Sequence, residues 1–463
     1  MASASPARRM GVNIFDESKP MWQIMLLFLL PLMISNILQS ASQTFASIFL
    51  GRMIGVSALA AVSAVFPVIF LLFSFLIGIA SGSTILIGQA HGARDDHRLK
   101  KVAGTVLGAT MLFSIFCAIV GTLGSPWMLA ALGTPASIVP QADQYARVVF
   151  LTSPVLFPYL VYTTFLRGVG DSQTPLYFLI VSAVLAIFFT PAFIAGWFGL
   201  PHLGVVSVAI SGVIANGVGL IALLALLARR RSPLRFDLEM ARDMIIDPKI
   251  LWAVIRIGVA TGIQVIMVSL AEIAIISFVN HYGARATAAY GAVNQIVNYV
   301  QFPAISIGIA ASIFGAQCIG AKREDKLGSV IRSAVALNYA VGGVLVLTCY
   351  LIAYPLLELF ITDAQTVSIA HELLMITLWS YLIFGNSATI SGVMRSSGTV
   401  LVPTINGIIG IWLIEVPVAF VCMRYFGLPG VWVGYPAFYC FMLCAQFTYY
   451  ELFWKKRTHE RLV

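Results

Sequence analysis

The chain has 463 residues, 59% of them hydrophobic and only 10% charged, with a mean hydropathy of +0.93. Soluble domains carry about 25% charged residues, so no soluble core could hide this much apolar surface and lipid must be the solvent for most of it. The net charge of +9 invites a nucleic-acid reading, which the placement of the basic residues makes unnecessary.

In chain order, a polar segment, 1–21, carries Arg8, Arg9 and Lys19 and precedes the first apolar run. That run, Met21 to Leu50, is too long for a signal-peptide core and lacks a convincing cleavage site, so it reads as a retained first helix. Apolar stretches long enough to span a bilayer recur at 22–50, 57–88, 102–124, 145–166, 175–196, 203–228, 251–280, 286–315, 331–361, 366–394, 400–424 and 430–454. Only 229–250 is long enough to link two halves, and 455–463 is a basic tail. The expected architecture is an all-α membrane protein of twelve transmembrane helices, with an N-lobe at 22–228 and a C-lobe at 251–454. Prolines at 67, 154, 158, 191, 303 and 417 are expected to kink their helices.

If both termini are cytoplasmic, all but four of the 28 basic residues fall on the inside. The exceptions are Arg52, Arg147, Arg285 and Arg424. That asymmetry is a strong positive-inside signal for a bacterial inner membrane protein and accounts for the high pI without nucleic acid. The 6 cysteines, Cys117, Cys318, Cys349, Cys422, Cys440 and Cys444, form no Cys-x-x-Cys pair, which points to neither a metal site nor a disulfide framework. Cys440 and Cys444 share a helical face and are expected to be small buried hydrophobes.

Sliding the sequence against itself by 228 residues lays Gly55-Val-Ser-Ala-Leu-Ala-Ala61 on Gly283-Ala-Arg-Ala-Thr-Ala-Ala289. The same offset pairs Gln89, Gly92, Ala93 and Leu99 with Gln317, Gly320, Ala321 and Leu327, and sets Arg94 opposite Lys322. It also pairs Arg167, Gly170 and Pro175 with Arg395, Gly398 and Pro403, and Phe198-Gly-Leu-Pro201 with Phe426-Gly-Leu-Pro429. A six-helix repeat has an even number of crossings, so both copies enter from one side. Such parallel repeats build secondary transporters; a duplicated scaffold without transport is the alternative.

Four segments carry a family likeness. They are Gly88-Gln-Ala-His-Gly-Ala-Arg-Asp95, Leu166-Arg-Gly-Val-Gly-Asp-Ser-Gln-Thr-Pro175, Gly315-Ala-Gln-Cys-Ile-Gly-Ala-Lys322 and Met394-Arg-Ser-Ser-Gly-Thr-Val-Leu-Val-Pro403. Together they resemble the multidrug and toxic compound extrusion (MATE) family over nearly the whole chain. The resemblance implies two six-helix lobes around a central cleft, and export of organic, often cationic, compounds by alternating access in exchange for sodium ions or protons. It implies no cofactor, small organic substrates and membrane lipid as partners, no nucleic acid, and a monomer. Locally, Gly92 and Gly320 are expected to take positive φ and end their helices, with Pro175 and Pro403 in the first turn of the next. Arg94, Arg167, Lys322 and Arg395 read as anchors for helix C-termini and anionic headgroups.

A carboxylate at mid-membrane costs about 2.5–3.5 kcal/mol even on a lenient scale, so intramembrane acids are default functional candidates. Two acids qualify, Glu272 in the seventh span and Glu415 in the eleventh. Either could bind and release a proton or a sodium ion as its hydration changes; the alternative is a protonated acid hydrogen-bonded between helices. Pro417 would free helix carbonyls beside Glu415. Asn386 is a third ion-coupling candidate, and Glu272 a candidate sodium ligand. Asn294, Gln295, Asn298 and Gln301 are candidates for substrate hydrogen bonding, and Tyr290 and Tyr299 for stacking on a cation. Joining helices is the competing role for these polar groups.

DinF-like members of the family carry an aspartate in the first helix and another before a proline in the fifth. Here Ala46 and Thr190 stand at those places, so no N-lobe proton switch is expected. Glu272 resembles the helix 7 glutamate of NorM-like members, one turn displaced, while Asn386 stands near their helix 10 aspartate. The competing functions are a lipid-linked precursor flippase, which would want a more cationic cleft, and a major-facilitator-type transporter. The chain has no P-loop, Gly-x-Ser-x-Gly elbow or metal cluster to suggest an enzyme.

Overall fold

The computed structural model describes residues 11–462. Eleven of its helices are long and apolar enough to cross a membrane, and a bent pair makes a twelfth span. We number them α1 (Met21–Ile54), α2 (Ser57–Gly92), α3 (Asp96–Ala131), α4 (Val139–Gly168), α5 (Gln173–Ala195) and α6 (Gly204–Arg229) in the first half. The second half holds α7 (Pro248–Asn280), α8 (Ala284–Gly320), α9 (Glu324–Leu351), α10 (Ala364–Thr377 with Ser380–Ser396), α11 (Leu401–Phe426) and α12 (Leu428–Trp454). About twenty predominantly apolar residues in lipid need every backbone group paired within the segment, and a helix is the only open-chain way to do so.

The chain forms two compact units. One takes in Ile34–Gly258 and the other Asn13–Met33 with Val259–Leu462. The unit boundaries therefore fall inside α1 and α7 rather than in the connecting segment.

In the first unit α3 packs along α4, and α2 and α6 also lie against α4. The segment after α6 carries a short helix, Leu238–Asp243, capped by Asp237, and is clasped to α3. Lys100 reaches Asp237 at 2.8 Å and Glu239 at 2.5 Å, and Lys101 reaches Asp247 at 2.7 Å. Backbone approach at Gly104 and Gly108 permits this: a Cβ on Gly108 would lie 2.3 Å from the Met244 carbonyl oxygen. Met240 is fully buried, with the Tyr162 hydroxyl against its sulfur at 3.2 Å. Hydrogen bonding to Lys100 holds the Asp237 carboxyl well below the usual carboxylate range. The hydrogen bond from Lys101 does the same, more mildly, for Asp247. The first part of α7 lies equally close to α2, where a Cβ on Gly78 would lie 2.3 Å from the Gly258 carbonyl oxygen.

Three local expectations are corrected. Positive φ falls on Arg94 and Lys322, both at 56°, not on Gly92 and Gly320, which end their helices in ordinary helical geometry. The left-handed residue of such a cap stands two places later. There the amide after it closes back on the helix, Asp95 N–H to Ala90 and Arg323 N–H to Cys318. A non-glycine there costs about 1–2 kcal/mol, spent identically in both halves. Secondly, α2, α4, α5 and α8 run unbroken through Pro67, Pro154, Pro158, Pro191 and Pro303. Of the expected prolines, Pro417 does lie at a break, directly after the wide turn Gly410–Glu415, whereas the wide turn Asn338–Gly342 and the 42° bend between Thr377 and Ser380 contain no proline. Thirdly, Cys440 and Cys444 are exposed, because the buried stripe of α12 runs through Tyr435, Tyr439, Met442 and Gln446.

The motif between α4 and α5 has a plain mechanical content. Gly170 takes φ 90°, and Asp171 then caps α5 by accepting from Thr174 N–H at 2.9 Å and its hydroxyl at 2.6 Å. Arg395, at the end of α10, turns its guanidinium to Gln264 at 2.5 Å and Thr261 at 3.3 Å of α7 rather than outward.

Candidate functional site

The second unit builds its site from two antiparallel hairpins. Gly283, at φ 89°, turns α7 into α8, and Gly427, at φ 68°, turns α11 into α12. Residues nearly equidistant from each turn then share a depth. Glu272 lies roughly 12 Å from the end of α7 at 1.5 Å per residue, level with Tyr290 on α8. Glu415 on α11 lies against Gly434 on α12, and the two helices come this close because residue 434 is glycine. A Cβ on Gly434 would lie 2.7 Å from the Glu415 carbonyl oxygen.

Glu272 accepts hydrogen bonds on one carboxylate oxygen from the Tyr290 hydroxyl and from the Tyr435 hydroxyl at 3.2 Å. Tyr290 is buried and edge-on to Trp432 at 5.5 Å. Glu415 is 5% exposed and closes the wide turn Gly410–Glu415 just before Pro417. Wide turns of this kind recur at functional sites because they displace side chains and loosen backbone carbonyls. Tyr381 of α10 packs on Tyr439 at 5.4 Å, and Phe384 on Tyr439 at 5.1 Å. Tyr290, Tyr381, Tyr435 and Tyr439 belong to one buried cluster, which Glu272 joins through its hydrogen bonds and Glu415 through its backbone contact with Gly434, next to Tyr435. The arrangement is two acids in one shell of aromatic rings, with two hydroxyls donating to Glu272.

The candidates chosen from the sequence divide accordingly. Glu272, Glu415 and Tyr290 share this shell. Asn386 belongs to a separate polar knot: Asn338, in the wide turn of α9, donates to Leu382 carbonyl at 2.8 Å and to Asn386 at 3.1 Å. Asn386 in turn donates to the Tyr339 hydroxyl at 2.8 Å. Gly385 makes room for Asn338, since a Cβ there would lie 1.9 Å from its amide oxygen. Asn294 is half-buried on α8; Gln295, Asn298 and Tyr299 lie on the face of that helix left open by its own unit, and Gln301 is half-buried. Tyr299 meets Phe302 edge-on at 5.9 Å.

Sequence reasoning passed over Tyr435, Tyr381, Tyr439 and Asn338. Their signal was present: polar-tipped side chains at membrane depth on the helices that pair with those bearing the acids.

One family model, MatE, matches twice, over residues 31–192 and 260–421. The chain is 50% identical over 450 residues to the probable multidrug resistance protein YoeA of Bacillus subtilis, covering 96% of this chain and 97% of that one. It is 26% identical over 448 residues to the probable multidrug resistance protein NorM of Thermotoga maritima, covering 94% of each. Among solved structures, the Vibrio cholerae MATE transporter VcmN in the bent form superposes with a TM-score of 0.86 at 20% identity, over 93% of this chain and 96% of that one.

Proposed function

The chain belongs to the MatE family of multidrug and toxic compound extrusion transporters, and from that membership we propose that it is a secondary active exporter of organic compounds, cationic or amphipathic, exchanged for protons or sodium ions by alternating access. It is a multi-pass membrane transporter and not an enzyme. The distribution of its basic residues supports cytoplasmic termini, and its bacterial relatives support the plasma membrane.

The observation that carries the coupling reading is the pair Glu272 and Glu415 in one tyrosine-lined shell of the second unit. A carboxylate in a dry membrane site is costly to keep charged without a counter-ion. Protonation or sodium binding supplies that neutralisation, and wetting of the site reverses it. The tyrosine hydroxyls on Glu272 give the ionised carboxylate partners when the ion has gone. For the cargo, Gln295, Asn298 and Tyr299 offer amides and a ring on one open face of α8. Mid-span amides are tolerated where they face water or a polar ligand, and an aromatic face holds an organic cation.

Everted vesicles loaded with a fluorescent organic cation test this. Collapsing the proton gradient and the sodium gradient separately is expected to stop accumulation in one of the two cases, which names the ion. Accumulation that continues undiminished with both collapsed would overturn ion-coupled export.

A further inference from the structure

The bend in α10 stands where neither proline nor glycine does: the residues across it are Met375-Ile-Thr-Leu-Trp-Ser-Tyr-Leu382. Sharp bends otherwise arise where a side chain or water enters the helical hydrogen-bond ladder. Tyr350 of α9 does so. Its hydroxyl donates to the Met375 carbonyl at 3.2 Å and accepts from Trp379 N–H at 3.1 Å. Those two backbone groups are four residues apart and would bond one another in an unbroken helix. The phenolic oxygen occupies the place of one helical hydrogen bond and satisfies both groups it separates, which at membrane depth is what lets the break persist. The neighbouring Thr377 carbonyl takes the Ser380 hydroxyl at 2.5 Å. Beyond the break, Asn338 of the same α9 holds the second segment by the Leu382 carbonyl.

The first buried ring after the break is Tyr381, which packs on Tyr439 in the same buried cluster as the two tyrosines that hold Glu272. Closing the Met375–Trp379 bond would straighten a 42° bend one turn from that ring and carry it off Tyr439.

We propose that Tyr350 is a positioning residue for ion coupling: its hydroxyl keeps α10 broken so that Tyr381 completes the shell around Glu272 and Glu415. The proposal rests on the reading of those acids as the coupling site. A role in packing alone would need only the ring, which phenylalanine supplies.

The test uses Tyr350→Phe in the full chain, with two readouts. Spin labels at positions 368 and 391, in a chain freed of its native cysteines, report the bend. Transport in proteoliposomes reports the concentration of driving ion that gives half-maximal rate. The expected result is a lengthened label separation and a half-saturating concentration raised about tenfold, the worth of one hydrogen bond made in a polar site, with the maximal rate retained. Trp379→Pro is the second variant. The φ of Trp379, −62°, suits the ring, and proline there keeps the bond to Met375 open whatever occupies position 350. Tyr350→Phe combined with Trp379→Pro is therefore expected to restore both readouts. Wild-type label separation and wild-type half-saturation in Tyr350→Phe would overturn the proposal, as would a double variant that keeps the single variant's defect. If the labels move but Glu272→Gln leaves the ion dependence of the otherwise native chain unchanged, the coupling reading and its link to Tyr350 fall, while Tyr350 stands as the wedge in α10.

Discussion

The third, fourth and fifth helices of the first half, α3, α4 and α5, run unbroken although they contain Pro126, Pro154, Pro158 and Pro191. The same three helices of the second half, α9, α10 and α11, are each interrupted, at Asn338–Gly342, between Thr377 and Ser380, and at Gly410–Glu415. Proline alone does not decide where these helices break: of the three interruptions only the last abuts a proline, Pro417, and at the second a side chain, Tyr350, takes the place of a backbone hydrogen bond. At the 228-residue offset the first half has Thr110 where the second has Asn338, and Thr122 where it has Tyr350. Neither threonine has the reach to enter a neighbouring helix. The shell follows the same rule: Thr44, Ile187, Val62, Ser153, Ser207 and Ser211 stand opposite Glu272, Glu415, Tyr290, Tyr381, Tyr435 and Tyr439. A common scaffold carries acids and tyrosines in one copy and short side chains in the other.

The largest expected effect comes from filling the space that one break needs. Gly385→Ala would drive a methyl into the Asn338 amide, costing about 1–3 kcal/mol as an overpacked core does. Thermal unfolding in detergent should show a markedly lowered midpoint, whereas Ser153→Ala in the first half should shift it little. Next is Tyr290→Phe, which keeps the ring against Trp432 and removes a hydrogen bond to Glu272. A bond to a charged group is worth about 1.5–3 kcal/mol, so the half-saturating ion concentration should move about ten- to hundredfold. Its counterpart in the first half, Val62→Ala, should leave that value unchanged, and an equal shift would break the comparison.

A smaller effect is expected at the clasp of the first unit. The depressed Asp237 carboxyl contributes stability that is complete above the ordinary carboxylate range and is lost as pH falls through its folded value. Hydrogen exchange of residues 237–247 should thus be protected at neutral pH and released under strongly acidic conditions. Lys100→Met should release it at neutral pH as well. Smallest of all, Thr44→Ala and Ile187→Val should leave ion dependence at the wild-type value in the same proteoliposome assay.

Much of this was legible in the sequence because it is periodic or costly. Spans are long apolar runs, and the duplication is one constant offset. Glu272 and Glu415 stand out because a carboxylate in lipid is expensive. Of the breaks only the one before Pro417 was legible: the other prolines lie in continuous helices, and Tyr350 acts from another helix 29 residues away in sequence. The tyrosines of the shell were hidden for a related reason: a hydroxyl aimed at a carboxylate and a ring filling a core are written with the same residue. Lys100 and Asp237, 137 residues apart, show no local pattern at all.

The central claim is that ion coupling resides in the acids of the second half. Proteoliposomes with an imposed gradient of the driving ion, loaded with a fluorescent organic cation, test it in the Glu272→Gln, Glu415→Gln double variant. Gradient-driven transport is expected to fall to the level of protein-free vesicles while the purified protein keeps its fold by circular dichroism. Full gradient-dependent transport by that double variant would contradict it.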